Sequence, residues 1–156
     1  GKVGCFGYNG AGELGFGTVG GAEGATANDV IGLLDTAQLG SGNFFSCARH
    51  LPGTISCWGS NANGRLGDGS GLDSAVPVDV PGISDAVDLG SGVIHACAVH
   101  ATGTVSCWGY NGNGNLGDGT FVQRSTPVEV LAVSTTGADS RMTLTSRLVA
   151  LRLIRR

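Results

Sequence analysis

Gly103-Thr-Val-Ser-Cys-Trp-Gly-Tyr-Asn-Gly-Asn-Gly-Asn-Leu-Gly-Asp-Gly-Thr120 decides the fold, because the chain contains it more than once. It stands fifty residues earlier as Gly53-Thr-Ile-Ser-Cys-Trp-Gly-Ser-Asn-Ala-Asn-Gly-Arg-Leu-Gly-Asp-Gly-Ser70, and its back half opens the chain as Cys5-Phe-Gly-Tyr-Asn-Gly-Ala-Gly-Glu-Leu-Gly-Phe-Gly-Thr18. The flanks keep the same offset. Leu39-Gly-Ser-Gly42 matches Leu89-Gly-Ser-Gly92, Cys47 matches Cys97, His50 matches His100, and Pro77-Val matches Pro127-Val. A period near 50 marks stacked supersecondary units, either propeller blades or solenoid turns.

Within one unit the pattern is all β. Ala86-Val-Asp-Leu89 reads as a short strand ended by Gly90-Ser-Gly92. Val93–His100 follows, with Ile94, Ala96 and Ala98 on one face and Val93, His95, Cys97 and Val99 on the other. Ala101-Thr-Gly103 turns the chain, Thr104–Trp108 returns, and Pro127-Val-Glu-Val130 is a fourth strand with proline at its first residue. Four short strands per repeat make a propeller blade. Small or apolar side chains on both faces suit strands pressed from two sides.

The turn fixes a register. A three-residue hairpin loop commonly puts its last residue in the left-handed region, and Gly53 and Gly103 hold that slot. Closing the hairpin on His100 and Thr104 sets Cys97 opposite Cys107, and by the same arithmetic Cys47 opposite Cys57. Non-hydrogen-bonded pairs put their Cα atoms ~4.5 Å apart, within disulfide range. Cross-strand disulfides would imply an oxidising compartment. Cys5 is left over, with its partner expected just upstream of residue 1. Buried reduced thiols are the alternative, and zinc held by Cys47, His50 and Cys57 is a rival whose ligands alternate to opposite faces.

Composition narrows the function classes. Glycine supplies 29 of 156 residues without an every-third spacing, charge is 13% and the net charge is −3. These values exclude a collagen-like or disordered chain and give no global electrostatic case for nucleic acid or an anionic membrane. No apolar run is long enough for a transmembrane helix, and residues 1–30 lack a signal-peptide pattern. Gly10-x-Gly12-x-x-Gly15 and Gly112-x-Gly114-x-x-Gly117 imitate a dinucleotide loop, but a strand follows each loop and Ala62 breaks the middle copy, so no cofactor is expected. Calcium would need several oxygens round one point, whereas each loop offers one acid, Asp68 or Asp118, replaced by Phe16 in the first copy. Turn chemistry accounts for these residues. No catalytic motif or recurring carboxylate pair is present.

The motif Cys-Trp-Gly-x-Asn-x-x-Gly-x-Leu-Gly-Asp-Gly, the Pro-Val strand after it, the Leu-Gly-x-Gly turn and the x-x-Cys-Ala strand together resemble the RCC1 (regulator of chromosome condensation) repeat. The likeness is to the cysteine-containing variety found in bacterial extracellular proteins, and it spans residue 5 to about residue 130. It implies an all-β, RCC1-like β-propeller, usually seven-bladed, of which this chain supplies an open arc of about three four-stranded blades. The expected units are a partial repeat over 1–35, repeats over 36–85 and 86–130, and a divergent tail over 131–156 that departs from the repeat and carries five of the nine basic residues. An open arc leaves edges exposed, so remaining blades or a second copy are expected to close the ring.

Recurring residues are expected to be structural: Trp58, Gly59, Asn61, Gly64, Leu66, Gly67, Asp68 and Gly69, and likewise Trp108, Gly109, Asn111, Gly114, Leu116, Gly117, Asp118 and Gly119. Trp58 and Trp108, with Phe6 in the first copy, are expected at blade interfaces. Tyr8, Arg65, Tyr110, Phe121 and Arg124 differ among copies, lie in or beside loops and include the types that dominate binding hot spots, so they are the candidate partner contacts. The expected function is a non-catalytic, protein-binding scaffold in an extracellular or cell-envelope protein. Guanine-nucleotide exchange on a small GTPase, implied by the family's namesake, and a purely structural array are the alternatives.

Overall fold

A computed structural model describes residues 2–20 and 24–131; the divergent tail expected over 131–156 lies, after residue 131, outside them. Ten strands are assigned among the described residues: β1 (Gly4–Gly7), β2 (Gly24–Asp29), β3 (Thr36–Ser41), β4 (Phe45–His50), β5 (Ile55–Gly59), β6 (Ser74–Asp79), β7 (Ala86–Ser91), β8 (His95–His100), β9 (Val105–Gly109) and β10 (Arg124–Glu129). They form one two-stranded sheet, β1-β2, and two four-stranded antiparallel meanders, β3-β4-β5-β6 and β7-β8-β9-β10. The first sheet thus has two strands rather than the four expected of a blade, since the first copy contributes only the back half of the repeat.

Hairpin arithmetic sets the register. His100 N–H donates to Thr104 O at 2.9 Å, and His50 N–H to Thr54 O at 2.9 Å. Gly53 and Gly103 take φ of 97° and 87°. Cys47 then faces Cys57 and Cys97 faces Cys107. Their Cα atoms lie 4.0 and 4.1 Å apart, with the sulfurs at disulfide distance.

Strand boundaries differ from expectation: β8 begins at His95 rather than Val93, β9 runs Val105–Gly109, and the larger differences are at β7 and at the prolines. β7 does not stop at Leu89 but runs to Ser91, pairing Gly90 with Cys97 and Ser91 with Ala96. Its glycine extends the strand because neighbouring sheets approach closely there: a Cβ on the equivalent Gly40 would lie 2.5 Å from Ser91 Oγ. Pro77 and Pro127 do not begin strands either. Each is the fourth residue of an edge strand, beside a register shift, where the missing N–H costs no ladder bond.

The cores lie between sheets, not within them. Val3, Val30, Leu33, Ala48 and Trp58 pack the first sheet on the second. Phe45, Cys47, Ile55, Cys57, Leu66, Leu89, Ala96, Ala98 and Trp108 pack the second on the third. Cys97, Cys107 and Leu116 begin the same kind of cluster on the far face of the third. The inner strands β4, β5 and β8 are therefore largely buried on both faces, which explains why β8 alternates between two mostly apolar sets.

Candidate interaction loops and the scaffold beneath them

Each repeat closes its glycine-rich loop round one buried asparagine. Asn111 is fully buried; its Oδ1 accepts Leu116 N–H at 2.9 Å, and its Nδ2 donates to Asp118 Oδ1 at 2.9 Å and to Thr120 O at 3.0 Å. Asn61 holds Leu66 N–H at 3.0 Å and Asp68 at 2.9 Å. Asn9 holds Leu14 N–H at 3.1 Å. One amide side chain thus satisfies both a donor and acceptors of a loop that has no ladder of its own.

Asp118 completes the third loop. It accepts the Thr120 hydroxyl and N–H at 2.8 and 3.0 Å and Arg124 Nε at 2.9 Å. Burial opposes its ionisation, but these bonds and that from Asn111 outweigh burial and hold the carboxyl well below the usual carboxylate range. Asp68 is engaged likewise, by Ser70 Oγ at 2.6 Å and Ser70 N–H at 3.1 Å. The carboxylates raised as calcium ligands are thus each occupied by protons of their own loop.

The tryptophans lock one sheet to the one before it. Trp58, wholly buried, donates through Nε1 to Glu13 O at 2.9 Å, and Trp108 donates to Arg65 O at 3.1 Å. A side-chain latch adds to the second interface. Gln38 Oε1 accepts Leu89 N–H at 3.1 Å while its Nε2 donates to Leu89 O at 2.9 Å, so the amide mimics a paired peptide group. Phe6, at the tryptophan position of the first sheet, is instead 71% exposed. No sheet among the described residues lies on its side.

The recurring histidines take a role that sequence spacing did not reveal. His50 Nδ1 lies 2.7 Å from Asp35 Oδ1 and its Nε2 2.9 Å from Ser56 Oγ; His100 repeats this with Asp85 at 2.6 Å and Ser106 at 2.9 Å. A carboxylate only accepts, so Nδ1 donates to the aspartate, while Nε2 and the serine hydroxyl share a hydrogen bond. The hydrogen bond from histidine comes first among the causes that hold Asp35 and Asp85 below the usual range. Nucleophilic catalysis uses the same order of groups; Ser56 is buried at 3% exposure, closed to a substrate, whereas Ser106 is half-buried. The zinc geometry dissolves with this finding: His50 turns to Asp35 and Ser56, and the cysteines turn to each other. Asp35 and Asp85, recurring 15 residues before each histidine, were the signal that could have found the relay.

The five candidate contact residues divide. Tyr8 is 56% and Phe121 75% exposed, and Tyr110 is half-buried. Tyr8 meets Phe44 edge-on at 5.7 Å between centroids. It stands on the first sheet, whereas Tyr110 and Phe121 belong to the third. Arg65 is buried, its guanidinium spent on Ala62 O at 2.7 Å and Asn43 O at 2.8 Å. Arg124 is tied to Asp118.

The glycine pattern that imitated a phosphate loop has a packing explanation. A Cβ at Gly10 would lie 2.0 Å from Tyr8 Oη, and one at Gly112 2.1 Å from Tyr110 Oη. In the middle copy the tyrosine is Ser60, and there the glycine is Ala62. Glycine appears where a tyrosine ring folds over the backbone and is dispensed with where it does not.

Comparison with known proteins agrees with this architecture. The regulator of chromosome condensation (RCC1) repeat matches residues 52–99. No curated protein matches the sequence. Among solved structures, Prp20p from Saccharomyces cerevisiae, described with its binding properties to Gsp1p and histones, superposes with a TM-score of 0.75 at 17% identity over 86% of this chain and 35% of its own. Yeast RCC1 (Prp20) bound to Kap60 gives 0.75 at 18% identity, covering 86% and 34%. Human WBSCR16 gives 0.72 at 19% identity, covering 90% and 36%. The chain spans about a third of the length of each. With its repeated Cys-Trp-Gly-x-Asn loops and its tryptophan-locked sheets, the chain carries a match to the RCC1 repeat over residues 52–99 and folds as a segment of an RCC1-like β-propeller.

Proposed function

We propose that the chain is a non-catalytic scaffold that presents its loops to a protein partner. One observation carries this reading: residues that recur are consumed inside the fold, while Tyr8, Tyr110 and Phe121 reach solvent where the copies differ. Rigid sheets displaying variable aromatic loops are a common binding design. The matched yeast structures bind proteins as well, Gsp1p, histones and Kap60 by their descriptions. Buried Arg65 is withdrawn from the contact set, and Arg124 acts through Asp118 by stiffening the third loop. The working units are the repeats over 36–85 and 86–130 with the partial repeat over 1–35, completed by further blades or a second copy.

Paired Cys47–Cys57 and Cys97–Cys107 support an oxidising setting, extracellular or at the cell envelope. A thiol titration tests that placement: one reactive thiol in the unfolded, unreduced protein is expected, rising to five on reduction. Five free thiols at the outset would instead favour an intracellular exchange factor. For binding, a photo-crosslinker at the exposed position 123 should capture a partner that Tyr110→Ala/Phe121→Ala together lose at unchanged melting temperature. Capture indifferent to both substitutions would overturn the loop assignment.

A further inference from the structure

The glycine-rich loop after β5 meets the start of β10, and a cleft opens beside the contact. Gly69 N–H donates to Ser125 O at 2.8 Å, and a Cβ on Gly64 would lie 2.5 Å from Ser125 Cα. These two approaches fix both walls before any ligand arrives. Asn61 stiffens the loop wall further. Its side chain holds Leu66 N–H and Asp68, and its own N–H donates to Asp73 Oδ1 at 2.6 Å. The cleft between the walls measures about 290 Å³. It lies between the second and third sheets, each of which has its four strands.

The lining is neutral and polar. It contains no ionisable side chain, and Ala62 supplies its one apolar side chain. Arg124, between two lining residues in sequence, is spent on Asp118. Asn63, Gln123 and Ser125 make no side-chain hydrogen bond among the described residues, so two carboxamides and a hydroxyl are left for a ligand. Asn63 takes a left-handed backbone, φ 66° and ψ 18°, which its counterparts Ala11 and Asn113 do not. The preceding interface repeats the scaffold without the lining. There Gly17 N–H donates to Ala75 O at 2.9 Å, and a Cβ on Gly12 would lie 2.5 Å from Ala75 Cα. By the repeat offsets, however, Ala11 stands for Asn63, Val19 for Gly71, Asp73 for Gln123 and Ala75 for Ser125. Three apolar residues and an acid thus give way together to two amides, a hydroxyl and a glycine.

We propose that this cleft is a subsite for one neutral sugar unit of a glycan. Every hydroxyl of a sugar ring both donates and accepts, and a carboxamide offers both functions from one rigid group. Asn63 on one wall and Gln123 on the other supply such paired bonds, and Ser125 Oγ supplies a third. The neutral lining gives an anion or a cation no counter-charge. With Ala62 as its one apolar side chain, it gives a peptide no pocket for an aromatic or aliphatic anchor. Walls already fixed by backbone contacts spare the ligand the cost of ordering them. This inference goes beyond the protein-binding reading and does not depend on it.

The test follows the side-chain NH2 resonances of Asn63 and Gln123 by NMR in the full chain. Glucose, galactose, mannose and N-acetylglucosamine are titrated separately. A ligand of this size in a single subsite binds with a Kd on the order of millimolar. At least one of these sugars should shift both resonances saturably. Gln123→Asp/Ser125→Ala, which installs the residues of the preceding interface, should weaken that sugar roughly tenfold or more, as the loss of two hydrogen bonds predicts. Both side chains are exposed, so the melting temperature should not change. The rival probe is the blocked tripeptide acetyl-Gly-Ser-Gly-amide. No saturable shift with any of the sugars, a shift that survives the double substitution, or a tighter response to the peptide would overturn the proposal.

Discussion

Replacing Trp108 with phenylalanine tests whether the tryptophan fastens one sheet to the next. The side chain is wholly buried between the second and third sheets, and its Nε1 donates to Arg65 O. Losing the larger ring leaves roughly 40 Å³ unfilled, about 1 kcal/mol of cavity cost, with a transfer loss of similar size. The Arg65 carbonyl, deprived of its donor in a buried place, adds about 1–2 kcal/mol. Together these predict a loss of roughly 3–4 kcal/mol. Urea titration with the disulfides intact, followed by the remaining Trp58, should show the midpoint falling by roughly 2 M at unchanged slope. The internal control is Phe6→Ala, at the same repeat position but 71% exposed, which should stay within about 0.5 kcal/mol of the parent. If Trp108→Phe costs no more than Phe6→Ala, the tryptophan is not an inter-sheet fastening, and the account of the core is wrong.

Two glycines three residues apart should behave oppositely. Gly109→Ala places a Cβ 2.7 Å from Ile94 O at a φ of 107°, against backbone that cannot yield; it should cost roughly 3 kcal/mol or more by thermal or urea unfolding. Gly112→Ala meets only the tip of Tyr110, so the ring should swing out, seen as shifted Tyr110 NMR resonances, at a cost under about 1 kcal/mol. Asp118 titrates below the usual carboxylate range when folded. Its contribution is therefore present above the unfolded carboxylate pKa and is lost as pH falls through the depressed folded value. Asp118→Asn should lower the melting temperature at neutral pH and flatten its decline as pH falls below about 4.

Most of the scaffold was legible because it repeats. A fixed offset exposed the sheets, and a three-residue turn with glycine at its end was enough to pair the cysteines, since strand alternation leaves one register once the closing pair is known. Tryptophan was legible as an interface residue by recurrence alone. What escaped notice depends on partners remote in sequence or on atoms shared by every residue. Arg65 looked variable because Glu13 and Asn115 replace it in the other copies, yet Glu13 and Arg65 each lend their backbone carbonyl to the next tryptophan. Its own side chain folds inward, which a change of residue type cannot signal. The Gln38 latch has no repeat counterpart, because the equivalent position is Asp88, one of its own acceptors. The prolines were misplaced because an edge strand tolerates them anywhere its N–H faces away from the ladder.

The cross-links and the tryptophans fasten the molecule in different directions. Each cysteine pair closes a loop of ten residues inside one sheet, and each tryptophan reaches from one sheet to its predecessor. Under tension applied through the two ends of the chain, covalent bonds would protect the hairpins while only packing and a few hydrogen bonds join neighbouring sheets. Such a molecule would lengthen first by parting sheet from sheet, each remaining a closed unit able to dock again when the load is removed. Under oxidising conditions the array is mechanically a row of stiff plates on softer joints, and the joints, not the plates, set the force at which it opens.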